Sequence, residues 1–402
     1  MPKLALVVPN LGKGGGVTSV AKFIKDVCIK SGRYDLKLIS LCMSSKDSCS
    51  LQLSQPQTWI PGVQTNSSRS WEGISFTHVG AKFGEFEFQR YQPRGPLTQL
   101  ISDCDVVQVV CGSPAWANTV IGQGKPVALQ VATRVVVERR VRDKNPKKLS
   151  DLWRKAMTGI TDRLDDYALM NVNAIQVENS WMFDYAKRIN SERNVDIRYA
   201  PPGISTSFFR PVNDRIGKDS GYILCVGRLS DPRKNIGLLL SAYKKINANL
   251  QERYPLILAG FSSPSSEFWS EVEGSNLLDK VRFIEKPNPK ELLQLYQYAS
   301  VFALPSDEEG LGIVVLEAMS CGVPVVSTKC GGPDGIITDC IDGYLVELND
   351  SDGMAKRIEI LLEDPELNNK IGLSARETAV TRFDEIVTGR LFLDVWDKLI
   401  VK

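Results

Sequence analysis

The 402-residue chain has a single histidine, His78, no Cys-x-x-Cys pair and almost no net charge. One histidine cannot supply a multi-histidine metal site, and a serine-hydrolase triad would have to be built around it. His78 lies in the alternating stretch 74–79 and reads as an ordinary strand or loop residue. The nine cysteines are odd in number and scattered, which argues against a disulfide framework or a zinc site. They read as small buried hydrophobes of a reducing compartment. Lys plus Arg is 49 against 47 for Asp plus Glu, so nothing in the balance calls for nucleic-acid binding. Long apolar runs are missing too. The opening run 4–8 is too short for a signal peptide, and none later reaches the roughly 18 residues of a membrane span. A cytoplasmic protein is expected.

What is present has the proportions of a globular protein, 43% hydrophobic and 24% charged, at a length that suggests two domains. Short β-rich runs alternate with longer amphipathic ones, the pattern of βα units. The first half predicts strands at 4–9, 36–42, 106–111, 127–131, 174–177 and 197–200, with helices at 17–30 and 148–170. The pattern restarts with strands at 222–226, 256–259, 281–284, 301–304, 323–327 and 344–346. Helices are expected between them near 236–249, 267–277, 289–298, 313–321 and 351–362. Pro201-Pro202-Gly203 and the polar segment 212–220 read as the linker. The expected fold class is α/β, with domains at 1–205 and 206–385 and a last amphipathic stretch, 386–402, returning to the first. Two such halves leave a cleft between the carboxyl ends of their parallel sheets, where doubly wound folds bind ligands.

Three segments carry chemistry. In Pro305-Ser306-Asp307-Glu308-Glu309-Gly310-Leu311-Gly312, an apolar strand turns through two glycines into a helix that includes Glu317. Backbone N–H groups at Gly310, Leu311 and Gly312 make an anion-receptive helix start. Glu309 and Glu317 are carboxylates placed to accept hydrogen bonds from neighbouring hydroxyls, one of a ribose and the other of a sugar ring. In Gly227-Arg228-Leu229-Ser230-Asp231-Pro232-Arg233-Lys234-Asn235, a guanidinium and an ammonium sit between a strand and a helix. Together they suit a diphosphate gaining negative charge as it leaves, without a metal. The glycine loop from Gly12 to Gly16 lets backbone approach a phosphate, but Val17 breaks the dinucleotide fingerprint and the P-loop order is absent.

Taken together, these segments resemble the retaining glycosyltransferases of family 4, which have the GT-B fold of two Rossmann-like domains. The two glutamates stand with seven residues between them, as in that family's paired-glutamate motif. Further agreement lies in Ala200-Pro201-Pro202-Gly203-Ile204, Gly331-Gly332-Pro333-Asp334 and Asp342-Gly343-Tyr344, so the likeness is specific from about 200 to 350. The resemblance implies metal-independent transfer of a hexosyl unit from a nucleotide diphosphate sugar, such as a UDP- or GDP-sugar, to the hydroxyl of a glycan or lipid-linked acceptor, with no cofactor. It implies Arg228 and Lys234 on the departing diphosphate, Glu309 on the hexose, Glu317 on the ribose, and Gly15 and Gly16 facing the diphosphate from the other domain. The base is expected near Glu285-Lys286-Pro287. In many members a histidine after the fourth parallel strand faces the reacting sugar. Here the chain reads Gln130-Val131-Ala132-Thr133-Arg134, which leaves Thr133 or Arg134 in its place.

Two rivals follow: a nucleotide-sugar epimerase of the same fold, and a nucleotide-sugar-binding subunit without turnover. The triplet Asp103-Cys104-Asp105 resembles the metal-binding carboxylate pair of another glycosyltransferase fold but precedes a buried strand. Residues 134–163 hold ten basic and four acidic side chains, a surface for anionic lipid headgroups or a pyrophosphate-linked lipid acceptor.

Overall fold

The β-branched runs become the strands of two sheets. In this computed structural model, described over residues 1–12, 15–44, 46–144, 148–212 and 221–401, the chain divides into two units. One is Met1–Pro202 with Thr388–Lys402; the other is Gly203–Val387. Lys13, Gly14, Lys147 and the linker residues 213–220 lie outside the described residues.

The first unit has eight strands: β1 (Lys3–Pro9), β2 (Asp35–Leu41), β3 (Thr65–Trp71), β4 (Ile74–Val79), β5 (Val106–Cys111), β6 (Val127–Val131), β7 (Ala174–Val177) and β8 (Asp196–Tyr199). Their order is β3-β4-β2-β1-β5-β6-β7-β8, parallel except for the β3–β4 hairpin. Because side chains alternate along a strand, Val107, Val109, Leu129 and Ile175 enter one core. Leu4, Leu6, Val106 and Val110 enter the other, with the helix Gly16–Ser31. That second core also takes Phe392, Val395 and Trp396 from the C-terminal helix Glu385–Val401. Trp396 Nε1 donates to Gln108 Oε1 at 2.8 Å, so the helix is fixed by a buried polar contact as well as by area.

The second unit is a six-stranded parallel sheet of β9 (Ile223–Arg228), β10 (Leu256–Ser262), β11 (Val281–Glu285), β12 (Val301–Leu304), β13 (Val325–Thr328) and β14 (Tyr344–Val346). Its order is β11-β10-β9-β12-β13-β14, so the chain reverses direction of travel between β9 and β12. In doubly wound sheets such a reversal marks the switch point, at whose carboxyl edge ligands bind. At Gly260 an added Cβ would stand 1.9 Å from the Gly227 carbonyl oxygen, so β9 and β10 pack too closely there for any side chain.

Several elements differ from the sequence reading: β4 joins the sheet although only its alternation was noted, and the helix expected near 236–249 is two, Ile236–Lys245 and Ala248–Arg253. Strand β3, Thr-Asn-Ser-Ser-Arg-Ser-Trp, forms an edge with mostly exposed side chains and has no apolar alternation to betray it. The helix Pro365–Phe383 was not expected either. Its start was marked, since Asp364 caps it by accepting from the Leu367 N–H at 2.9 Å and Pro365 occupies the first turn.

Candidate functional site

The loops leaving β9, β12 and β13 interlock at the switch point of the second sheet. Arg228 is the last residue of β9, and Lys234 ends the short turn Pro232–Lys234. Asp231 shapes that turn: it accepts from the Arg233 N–H at 3.1 Å and pairs with the Arg233 guanidinium at 2.9 Å. Burial alone would raise the Asp231 carboxyl, but these donors and Arg228, at 3.4 Å, hold it below its ordinary value. Asn235 then adopts a left-handed conformation with φ 41° and caps the helix Ile236–Lys245 by accepting from Leu238. Asn235 Nδ2 also donates to Asp307 Oδ1 at 2.7 Å, and the Asp307 N–H donates to the Arg233 carbonyl at 2.8 Å. The basic loop is thereby fastened to the glutamate loop.

Glu309 is the centre of this junction. Its carboxylate pairs with Lys234 Nζ and accepts from Ser306 Oγ at 2.8 Å. Its backbone bridges to the loop after β13, donating to the Cys330 carbonyl at 2.9 Å and accepting from the Gly332 N–H at 3.0 Å. At Gly332 an added Cβ would lie 2.3 Å from the Leu311 carbonyl oxygen, so only glycine lets the two loops meet. Gly312, at φ 84°, then turns the chain into the helix Ile313–Ser320, whose first turn has no side-chain cap. Leu311 and Gly312 are buried and Gly310 is half-buried.

Glu317 sits on that helix, half-buried. Its Oε2 accepts from the Tyr296 hydroxyl at 2.6 Å, and burial pushes its carboxyl up to about 7. A single tyrosine leaves its remaining acceptor capacity open to a hydroxyl donor. Lys286 lies farther off, after β11, two strands from β9. It pairs with Glu285 at 2.7 Å with both side chains more than half exposed, and its N–H donates to the Gly260 carbonyl.

In the first unit, Gly15 is the N-cap of the helix Gly16–Ser31 with φ 106°, and both glycines are exposed beyond β1. Arg134 is not free to replace the family's histidine. Its guanidinium pairs with Asp162 at 2.8 Å and Asp166 at 2.9 Å and lies over the Tyr185 ring, 4.1 Å from its centre. Thr133 donates its N–H to the Gly112 carbonyl. Asp103 is bound by Lys37 at 2.6 Å and Lys3 at 3.1 Å, and Asp105 accepts from the Lys3 N–H, so this triplet is an ion-paired strand entry. His78 is a buried strand residue, as read, that bonds Asp47 at 2.9 Å and Ser40 at 3.2 Å.

The structure thus joins Lys234 with Glu309, sets Arg228 beside Asp231 at the same loop, and seats Glu317 separately on Tyr296. Sequence reasoning missed Ser306, Asn235, Asp307 and Tyr296. Asn235 carried a signal, a polar residue just before an apolar run, but the partnership with Asp307 spans 72 positions.

Residues 210–378 match the family Glycosyl transferases group 1. The O-antigen chain mannosyltransferase B of Escherichia coli is 37% identical over 145 residues, 36% of this chain and 37% of that protein. The GDP-mannose-dependent alpha-(1-6)-phosphatidylinositol monomannoside mannosyltransferase of Mycolicibacterium smegmatis is 29% identical over 219 residues, 48% of this chain and 56% of that protein. The chain thus matches about half or less of the length of these relatives. Over nearly the whole chain, sucrose-phosphate synthase from Thermosynechococcus elongatus superposes with a TM-score of 0.70 at 18% identity, covering 99% of this chain and 100% of that one. Anabaena HepE in complex with UDP and glucose gives 0.68 at 15% identity, covering 98% and 100%. The fold is GT-B, two Rossmann-like domains in one chain. The family match falls within its second unit.

Proposed function

We propose that this protein transfers a hexosyl unit from a nucleotide diphosphate sugar to an acceptor hydroxyl, with retention of configuration and without a metal. The observation that carries the reading is the Lys234–Glu309 pair, with Arg228 alongside, at the switch point of the second sheet. A departing diphosphate gains charge as the glycosidic bond breaks. Arg228 and Lys234 meet that charge, and the helix start at Gly310 to Ile313 adds N–H donors. Glu309, held by Ser306, orients the hexose through its hydroxyls, and Glu317 accepts from the ribose while Tyr296 fixes its carboxylate. The base lies toward Glu285-Lys286-Pro287. In a front-face reaction the leaving phosphate takes the acceptor's proton, so no histidine is required after β6. The mannosyltransferase names among the relatives favour a GDP-sugar donor and a glycan or lipid-linked acceptor.

Thermal unfolding with UDP-, GDP- and ADP-sugars tests the donor. One series is expected to raise the midpoint in step with ligand concentration. Proton NMR of the product formed with that donor is expected to show the donor's own anomeric configuration. An inverted product, or an epimerised nucleotide sugar made without acceptor, contradicts the reading. Donor binding without any transfer across an acceptor panel favours the non-catalytic rival.

A further inference from the structure

The helix Leu149–Asn171 carries an exposed apolar stripe. Its buried residues, among them Met157, Thr161, Asp165, Ala168 and Leu169, occupy one side. At 3.6 residues per turn, Leu149, Leu152, Trp153, Ile160, Tyr167 and Met170 fall within about 100° of one another on another side. All six are exposed, from 38% at Ile160 to 84% at Leu149. The stripe runs about 30 Å along the axis. Trp153 leans on Phe86 at 6.4 Å between ring centres, which makes its end a fixed aromatic edge.

The charges around the stripe sort into two sets. Arg134, Arg139 and Arg154 are tied to carboxylates of the fold: Asp162 and Asp166, Glu87, and Asp143 and Asp151. Those pairs neutralise three of the four acidic residues of 134–163, leaving Glu138. The side chains of Arg140, Arg142, Lys144, Lys148, Lys155 and Arg163 are exposed and, among the described residues, form no ion pair, although the Lys148 N–H donates to Asp151 at 3.0 Å. Lys148 and Lys155 follow one flank of the stripe, and Arg163 stands within it.

We propose that this face lies on an anionic lipid surface, the apolar stripe entering the headgroup boundary and the flanking cations meeting lipid phosphates. Charge complementarity selects this occupant. A second copy would set cations against cations, and a nucleic acid would leave the stripe in water. The helix is not apolar enough to cross a membrane, so the contact is in-plane. The inference does not depend on the sugar-transfer reading.

Flotation of the full chain with vesicles tests it. Binding is expected with phosphatidylcholine–phosphatidylglycerol vesicles at low salt, with little to phosphatidylcholine alone. Lys148→Glu with Lys155→Glu, and separately Leu149→Ser with Leu152→Ser, are each expected to weaken binding on the order of tenfold or more. Should the serine variant fail to fold by circular dichroism, Trp153→Phe decides instead: the fluorescence difference from the native chain is expected to shift blue on adding the anionic vesicles. Absence of flotation at low salt, binding indifferent to both charge and apolar variants, or no Trp153 shift overturns the proposal. So does a concentration-dependent dimer that the serine variant abolishes.

Discussion

At the scale of single residues, Arg228 and Lys234 share a proposed role but differ in surroundings. The Arg228 side chain is 56% exposed, whereas those of Lys234 and Glu309 are 16% and 12% exposed. Removing either cation is expected to lower kcat/KM on the order of a hundredfold, about 3 kcal/mol of transition-state stabilisation. Their effects on stability should part. Arg228→Ala leaves a solvent-facing gap and is expected to change the unfolding free energy by no more than about 0.5 kcal/mol. Lys234→Ala strips a shielded carboxylate of its cation and is expected to cost about 2 kcal/mol. Urea unfolding beside steady-state kinetics on both variants checks this; near-normal turnover in either contradicts its role. These residues were legible because charge and spacing mark them in the sequence. Ser306, Asp307 and Tyr296 were not, because their significance appears only once β9 and β12 lie side by side.

At the scale of elements, the parallel strands were readable as apolar runs bounded by turns, and the edge strand β3 was not, since an exposed edge needs no apolar face. The same sheet hides a titration that no periodicity shows. Glu178 directly follows β7, buried, with Gln130 Nε2 donating to it at 3.2 Å. The Gln176 carboxamide and Gln130 Oε1 nearby are buried without a protein partner among the described residues. Burial raises the Glu178 carboxyl from its ordinary 4.5 to about 7, against the opposing pull of Gln130. The folded state therefore keeps a proton that the unfolded chain releases. That stabilisation is fully present below pH about 4.5 and is lost as pH rises through about 7. Glu178→Gln escapes the loss. It is expected to match the native chain near pH 4.5 and to exceed its stability by about 2 kcal/mol at pH 8, measured by thermal or urea unfolding. A native chain that remains the more stable at pH 8 contradicts the burial argument.

At the scale of the whole molecule, the restart of the βα pattern near residue 222 shows in the sequence, and the structure gives each half its own parallel sheet and core. The second unit is where motif, geometry and family likeness coincide. The first unit was less legible. Its glycine loop lacks a standard fingerprint, and Arg134, a candidate for the missing histidine, is spent on Asp162 and Asp166. A crystal structure with an intact nucleotide diphosphate sugar at the mouth of the second sheet is the decisive experiment. Diphosphate oxygens are expected within hydrogen-bond distance of Arg228 and Lys234, with hexose and ribose hydroxyls on Glu309 and Glu317. A donor bound elsewhere, or one whose diphosphate touches neither cation, contradicts the proposed function.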